Sequence, residues 1–140
     1  MSSPCQVDFY QLAGPERGAE QLACKLAMMA WERGHRVAII GRDAAQVQDL
    51  DRLLWQTPEG RFLPHEQGTD HPAPVSLLME PPGENGDVVI NLTDRPLPAP
   101  RPWRRLLEIV PFHDEDRAAA RDKFRAYRAD GHDPKAHQIN

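Results

Sequence analysis

The chain has few of the residues from which catalytic and metal centres are usually built. Of its 140 residues only two are cysteines, Cys5 and Cys24, and they form no CxxC pair, so reduced thiols are expected rather than a disulfide or a zinc site. Six histidines, at positions 35, 65, 71, 113, 132 and 137, show neither HExxH nor His-x3-His spacing, which leaves no metal-ligand signature. Serine occurs only at positions 2, 3 and 76, never in a GxSxG elbow, and no acidic pair or nucleophile–base constellation stands out. No cofactor is implied. No apolar run approaches the roughly 20 residues of a membrane helix, and MSSPCQVDFY lacks the apolar centre of a signal peptide. A cytoplasmic protein without membrane contact is expected. The formal net charge of −4 argues against a surface that coats nucleic acid as a whole, so any anion binding must come from a local patch.

What is present is alternation between strand and helix patterns, in a length that suits one domain, residues 1–140. QVDFYQL, residues 6–12, alternates as a strand, and AGPERG turns the chain. From Ala19 to Arg33, Leu22, Ala23, Leu26, Met29 and Ala30 recur at helical spacing, and Gly34 stops the run. RVAIIG, residues 36–41, has the continuous apolar character of a strand buried on both faces. Asp43 can cap a second helix, with Gln46 three residues on, and Val47, Leu50 and Leu54 give it an apolar stripe as far as Trp55. VSLLME (75–80), DVVINL (87–92) and WRRLLEIVPF (103–112) read as three further strands, separated by stretches rich in the chain's 14 prolines. These patterns predict a single-domain α/β fold, an open and mostly parallel sheet flanked by helices. Residues 130–140 are expected to trail as a flexible tail.

The most informative stretch is PFHDEDRAAARDKFRAYRADG, residues 111–131. Acidic residues 114–116 suit a helix N-terminus and Gly131 a C-terminal stop. At roughly 100° per residue, Arg117, Arg121, Arg125 and Arg128 share a sector about 80° wide, with Ala120, Phe124 and Tyr127 beside it. Guanidinium forks take carboxylate or phosphate in pairs of hydrogen bonds, and an aromatic shelf takes an apolar group, so the boundary suits an acidic peptide or phosphate chain carrying one. The plain alternative is a solvated basic face.

Three other stretches invite function. GPERGAE, residues 14–20, lies where phosphate loops lie, but has neither GxxxxGK[ST] nor GxGxxG spacing, and Glu16 and Glu20 would repel phosphate. LLWQTPEGRFLPH, residues 53–65, sets Trp55 at a helix end and Phe62 and Pro64 in a loop, where they either anchor a partner or fold back over the core. PLPAPRP reads as a semi-rigid connector rather than a ligand for a proline-reading module. Cys24, close to Leu22 and Leu26 on its helix, reads as a buried small hydrophobe rather than a nucleophile.

In their order, VDFYQL, EQLACKLAMMAWERGHRVAII, LDRLLWQTPEGRFLPH and VPFHDEDRAAARDKFRAYRADG resemble the chi subunit of bacterial DNA polymerase III, over most of the chain. The most specific parts are LW…P…F.PH around Trp55 and Phe62 and the arginine–aromatic pattern from Arg117 to Gly131. The short loop after the first strand and the proline run 96–102 depart from that pattern. The resemblance implies a non-catalytic replisome adaptor, with a fold like that of mononucleotide-binding proteins but no working nucleotide site. It implies that Trp55, Phe62 and Pro64 belong to a surface for the psi subunit of the clamp loader, one that a helicase-type partner can share. Arg117, Arg121, Arg125 and Arg128 would face the acidic C-terminal tail of single-stranded DNA-binding protein, whose last side chain would enter a pocket near Val110, Phe124 and Tyr127. Two other classes remain open at this point: a small α/β nucleotide-binding enzyme using the turn at 14–18, and a direct binder of single-stranded nucleic acid through the same helix.

Overall fold

The computed structural model describes residues 5–12, 18–56, 64–68, 73–80, 87–97, 103–111 and 117–139. Strand β1, Gln6–Leu12, forms where the alternation predicts it and buries Val7, Phe9 and Leu12. Helix α1, Ala19–Glu32, follows and leads into β2, Val37–Ile40, which is buried at every position. Gly34 ends α1 with φ +87°: its amide donates to Trp31 O and the His35 amide to Ala30 O. This is the paired closure that a left-handed residue just past a helix allows. Helix α2, Ala44–Trp55, starts on Asp43, whose side chain accepts from the Gln46 amide at 2.8 Å while Gln46 Oε1 accepts from the Arg42 amide at 2.6 Å. Two otherwise unpaired donors are thereby satisfied.

Strands β3 (His65–Gln67), β4 (Val75–Leu78), β5 (Val88–Asn91) and β6 (Arg105–Val110) follow, then helix α3 (Arg117–Ala129) and strand β7 (Lys135–Ile139). They form one sheet of order β3-β4-β2-β5-β6-β1-β7 in which every pairing is parallel. The α/β expectation holds. Helices α1 and α2 cover one face, where Leu22, Leu26, Val47 and Leu50 pack on Val37, Ile39, Ile90 and Leu107. On the opposite face Tyr127 of α3, with Trp103 and Leu97, packs on Val7, Phe9, Ile40, Val89 and Leu106. Burial on both faces is why β2 and β5 read as continuous apolar runs.

Two elements correct the sequence reading. Residues 135–139, placed in a flexible tail, form the edge strand β7, in register with β1 from Asp8↔Lys135 to Leu12↔Ile139. The strand is mostly exposed and polar, and a side-chain contact across the ladder holds it: His137 Nε2 lies 2.8 Å from Oδ1 of the buried Asp8. Residues 65–67, for which the sequence predicts no strand, form the opposite edge β3, too short and too exposed to show a period.

Candidate partner-binding surfaces

Helix α3 sorts its side chains as the 3.6-residue period requires. Ala120, Lys123 and Tyr127 are buried, Phe124 is half-buried, and Arg121, Arg125 and Arg128 are exposed. Gly131, at φ +90°, closes the helix, its amide donating to Arg128 O and the His132 amide to Tyr127 O. Arg121 and Arg128 make no ion pair among the described residues, and Arg125 reaches Asp122 at 3.8 Å with both side chains mostly in water, a contact of little energy. Arg117 differs from the other three: it is half-buried and its Nε donates to Pro111 O at 3.1 Å. The outward cationic surface is therefore three guanidiniums wide, with Arg117 anchored to the end of β6.

Phe124 packs on Phe9, ring centres 5.2 Å apart, and Val110, half-buried, joins the same cluster. Tyr127, expected beside them at the mouth of a pocket, is instead wholly inaccessible, 6.0 Å from Phe9. Its place in the stripe reads equally well as core or as rim, and its hydroxyl decides for the core. The hydroxyl donates to Glu108 Oε2 and accepts from the Leu97 amide at 3.1 Å. A peptide on this face can touch Phe124 and Val110 but not Tyr127.

Beneath α3 lies a polar cluster that the sequence reading missed. Glu108, in the middle of β6 and 1% exposed, accepts from Lys123 Nζ at 2.9 Å, from Asn91 Nδ2 at 2.8 Å and from Tyr127. Lys123 also donates to Thr93 O, and Asn91 Nδ2 to Arg95 O at 2.9 Å. Burial pushes the Glu108 carboxyl above its ordinary value against the opposing pull of Lys123, Tyr127 and Asn91. The signal was present in two places: a glutamate inside the apolar strand RLLEIV, and a lysine inside the apolar stripe of α3. Opposite charges that each interrupt a buried face are each other's natural partners.

The cluster closes the end of the sheet at which open α/β folds bind their ligands. A cavity of about 100 Å³ remains there, lined by Glu20, Arg42, Gln46, Asn91, Thr93 and Lys123. It is well below the roughly 300 to 1,000 Å³ of small-molecule sites. Glu20 stands in the first turn of α1 and accepts from Gln46 Nε2 at 3.3 Å, which opposes phosphate at that helix end. Residues 14–17 of the turn between β1 and α1 lie outside the described residues. Cys24 packs against the core, and burial, with Glu20 second, pushes its thiol up to about 12, so it holds no nucleophilic thiolate at neutral pH. Among the described residues no cluster of three metal-ligating side chains occurs.

At the far edge of the sheet, Trp55 ends α2 with 61% of its surface exposed, its ring edge-on to His65 at 5.3 Å. His65 is buried, and its Nε2 approaches Asp51 Oδ1 at 3.2 Å without the alignment of a hydrogen bond. Pro64 is half-buried beside this pair in the chain. Phe62, read as part of the same surface, lies outside the described residues.

Fold and surface together define a parallel α/β domain of the mononucleotide-binding type, its ligand end closed by a buried ion pair and a basic helix turned to solvent. The family of the DNA polymerase III chi subunit, HolC, matches residues 5–135. The chain is 41% identical to the DNA polymerase III subunit chi of Pseudomonas aeruginosa over 138 residues, covering 96% of each. It is 31% identical to the subunit chi of Escherichia coli over 117 residues, 80% of each, and 28% identical to that of Haemophilus influenzae over the same length. The chain belongs to the DNA polymerase III chi subunit family, which gives it a role in DNA replication as an accessory subunit of the polymerase assembly. No helix among the described residues is long and apolar enough to cross a membrane.

Proposed function

We propose that the chain is a non-catalytic, cytoplasmic adaptor of the replisome, holding the acidic C-terminal tail of single-stranded DNA-binding protein on α3 and the psi subunit of the clamp loader at the Trp55 surface. The observation that carries this reading is the row of Arg121, Arg125 and Arg128, exposed and almost unneutralised, beside the half-buried Phe124 and Val110. The tail's carboxylates run along the guanidiniums, its terminal carboxylate takes one fork, and its last apolar side chain settles against Phe124 and Val110. Each charge-assisted hydrogen bond contributes about 1.5 to 3 kcal/mol, so two or three with one buried ring reach the roughly 8 kcal/mol of micromolar binding. Such binding weakens with salt, since the guanidiniums are in water. The exposed Trp55, with Pro64 and Phe62, supplies the apolar anchor for psi, and the same anchor serves a helicase-type partner.

Two observations speak against the other classes. The cavity at the ligand end of the sheet is too small for a nucleotide, and stacking of bases on α3 would have Phe124 alone, because Tyr127 is buried. Calorimetric titration with an acidic peptide ending in Pro-Phe, beside the same peptide without its last residue, tests the reading. Micromolar binding that is lost on truncation and on Arg121→Ala is expected. Equal binding of both peptides, or an Arg121→Ala protein that binds as well as the parent at low salt, would refute it.

A further inference from the structure

The contacts of α3 show which way its arginines point. Lys123 reaches Thr93 O, just past β5, and Glu108 on β6; Tyr127 also reaches Glu108, and Phe124 packs on Phe9 of β1. Passing around the helix from Lys123 to Tyr127 to Phe124 therefore crosses the sheet from β5 to β6 to β1. At 3.6 residues per turn, the next roughly 100° in the same direction hold Arg117, Arg128, Arg121 and Arg125. The strand beyond β1 in that direction is β7. The guanidiniums thus stand on the flank of α3 turned toward the β7 edge.

Strand β7 forms a ledge beside that flank. Paired residues of parallel strands point to the same side of a sheet, so the register Phe9↔Ala136 and Gln11↔Gln138 puts Ala136 and Gln138 on the α3 face. Both are exposed, and neither belongs to the core cluster on that face. His137, on the other face, stacks on Tyr10 and meets Asp8, which fixes the strand from behind. Gln11, half-buried, lies between its register partners Val110 on β6 and Gln138 on β7. Val110, Gln11 and Gln138 therefore form a row leading outward from the apolar patch of Val110 and Phe124. It spans two strand spacings, about 10 Å, a length that roughly three extended residues cover. The side-chain amides of Gln11 and Gln138 make no hydrogen bond among the described residues, and each offers two donors and an acceptor, the complement of a peptide group.

We infer that the β7 edge completes the peptide site of α3, an extension that rests on the tail reading of that helix. The tail crosses β7 in extended form and ends with its apolar side chain against Phe124 and Val110. Gln138 and Gln11 hydrogen-bond its main chain, and its carboxylates lie beside the guanidiniums. The amides read the peptide backbone and the arginines its charge. This also fixes the direction of the tail, with its end inward at β6 and the preceding acidic residues outward at the sheet edge.

The test is calorimetric titration of the Pro-Phe tail peptide into the full chain at low salt, beside Gln138→Glu and Gln138→Lys, with the Gln138 side-chain amide signals of an isotope-labelled chain as a local readout. Saturable shifts of those signals are expected. Gln138→Glu should weaken binding about threefold or more, the effect of one charge about 6 Å from a carboxylate in water, and Gln138→Lys should bind at least as tightly as the parent. Lys25→Glu, at an exposed position of α1 across the sheet, changes the net charge by more and should leave binding unchanged. Both positions are exposed, so none of these variants threatens folding. Gln138 signals that do not respond overturn the inference. So do a Gln138→Glu protein that binds as the parent does and a Lys25→Glu protein weakened as much as Gln138→Glu. Binding that is lost with Arg121→Ala but indifferent to position 138 refutes the ledge alone, whereas a parent chain that does not bind the peptide refutes the tail reading and the ledge with it.

Discussion

Replacing Lys123 with methionine removes a cation from beneath α3 while keeping most of its volume. Lys123 is 7% exposed at the side chain and Glu108 1%, so solvent cannot replace what is lost. Glu108 would retain only the Tyr127 hydroxyl and the Asn91 amide as donors, and Thr93 O would lose the ammonium. Breaking one side of a buried ion pair costs about 3 to 5 kcal/mol, because the remaining charge stays desolvated. Against a total stability of about 5 to 15 kcal/mol this is severe, and at this length it corresponds to a fall in melting temperature of roughly 10 to 17 °C. The cost also depends on pH with a definite sign. Glu108 has its carboxyl held above the ordinary value of 4.5, by burial first, so the native state binds the proton more tightly than the unfolded chain. Its contribution is therefore full below 4.5 and declines as pH rises through the native value. Removing Lys123 deletes an opposing pull and raises that value further, so the penalty should be larger at pH 8 than at pH 5. Urea unfolding followed at both pH values, with Glu108→Gln and the double variant completing a cycle, measures this. A Lys123→Met loss below about 1 kcal/mol, or one that shrinks as pH rises, would show that the pair is not what secures α3.

Two further outcomes follow from single contacts. Asp8 is pushed up by burial but pulled further down by His137 and Arg105, leaving its carboxyl below the ordinary 3.8; its stabilisation is thus present above 3.8 and lost as pH falls below it. Asp8→Asn should remove that acid-side loss and cost about 2 to 4 kcal/mol by stranding Arg105, and an acid unfolding curve unchanged by the substitution would contradict it. Gly131 sits at φ +90° with nothing within 4 Å of an added Cβ, so Gly131→Ala should cost only the backbone penalty of about 1 to 2 kcal/mol in a thermal melt, and a neutral result would mean that the helix end relaxes out of the left-handed conformation.

The elements legible in the sequence were those with a buried periodic face. Strand β1, helices α1 and α2 and the central strands matched to within a few residues because each presents apolar side chains at period 2 or 3.6, or without a break when both faces are covered. The glycine stops at Gly34 and Gly131 were legible because left-handed φ is nearly exclusive to that residue. What failed was what depends on a neighbour. Strand β7 has the exposed polar pattern of a tail and becomes a strand only because β1 leaves an open edge beside it and Asp8 waits for His137. Tyr127 and Phe124 were equivalent on a helical wheel; the presence of Glu108 across the interface, a tertiary fact, turns one into core and leaves the other at the surface.

The geometry bears on whether one chain could hold both proposed partners at once. Trp55 ends the helix that packs on β3 and β4 at one edge of the sheet, whereas α3 reaches across β6 and β1 on the opposite face. Neighbouring strands lie about 4.8 Å apart, so four or more strand spacings put roughly 20 Å and the thickness of the sheet between Trp55 and Phe124. A short acidic tail on α3 does not reach Trp55 across that distance. The affinities for tail peptide and for psi should therefore be independent, each unchanged by saturation with the other, because coupling requires an element with two arrangements that both ligands bias. Titrating tail peptide into the chain alone and into its complex with psi decides the matter. Equal constants would make the chain a passive bivalent link, and a difference of about tenfold or more would mean that the sheet itself shifts between states.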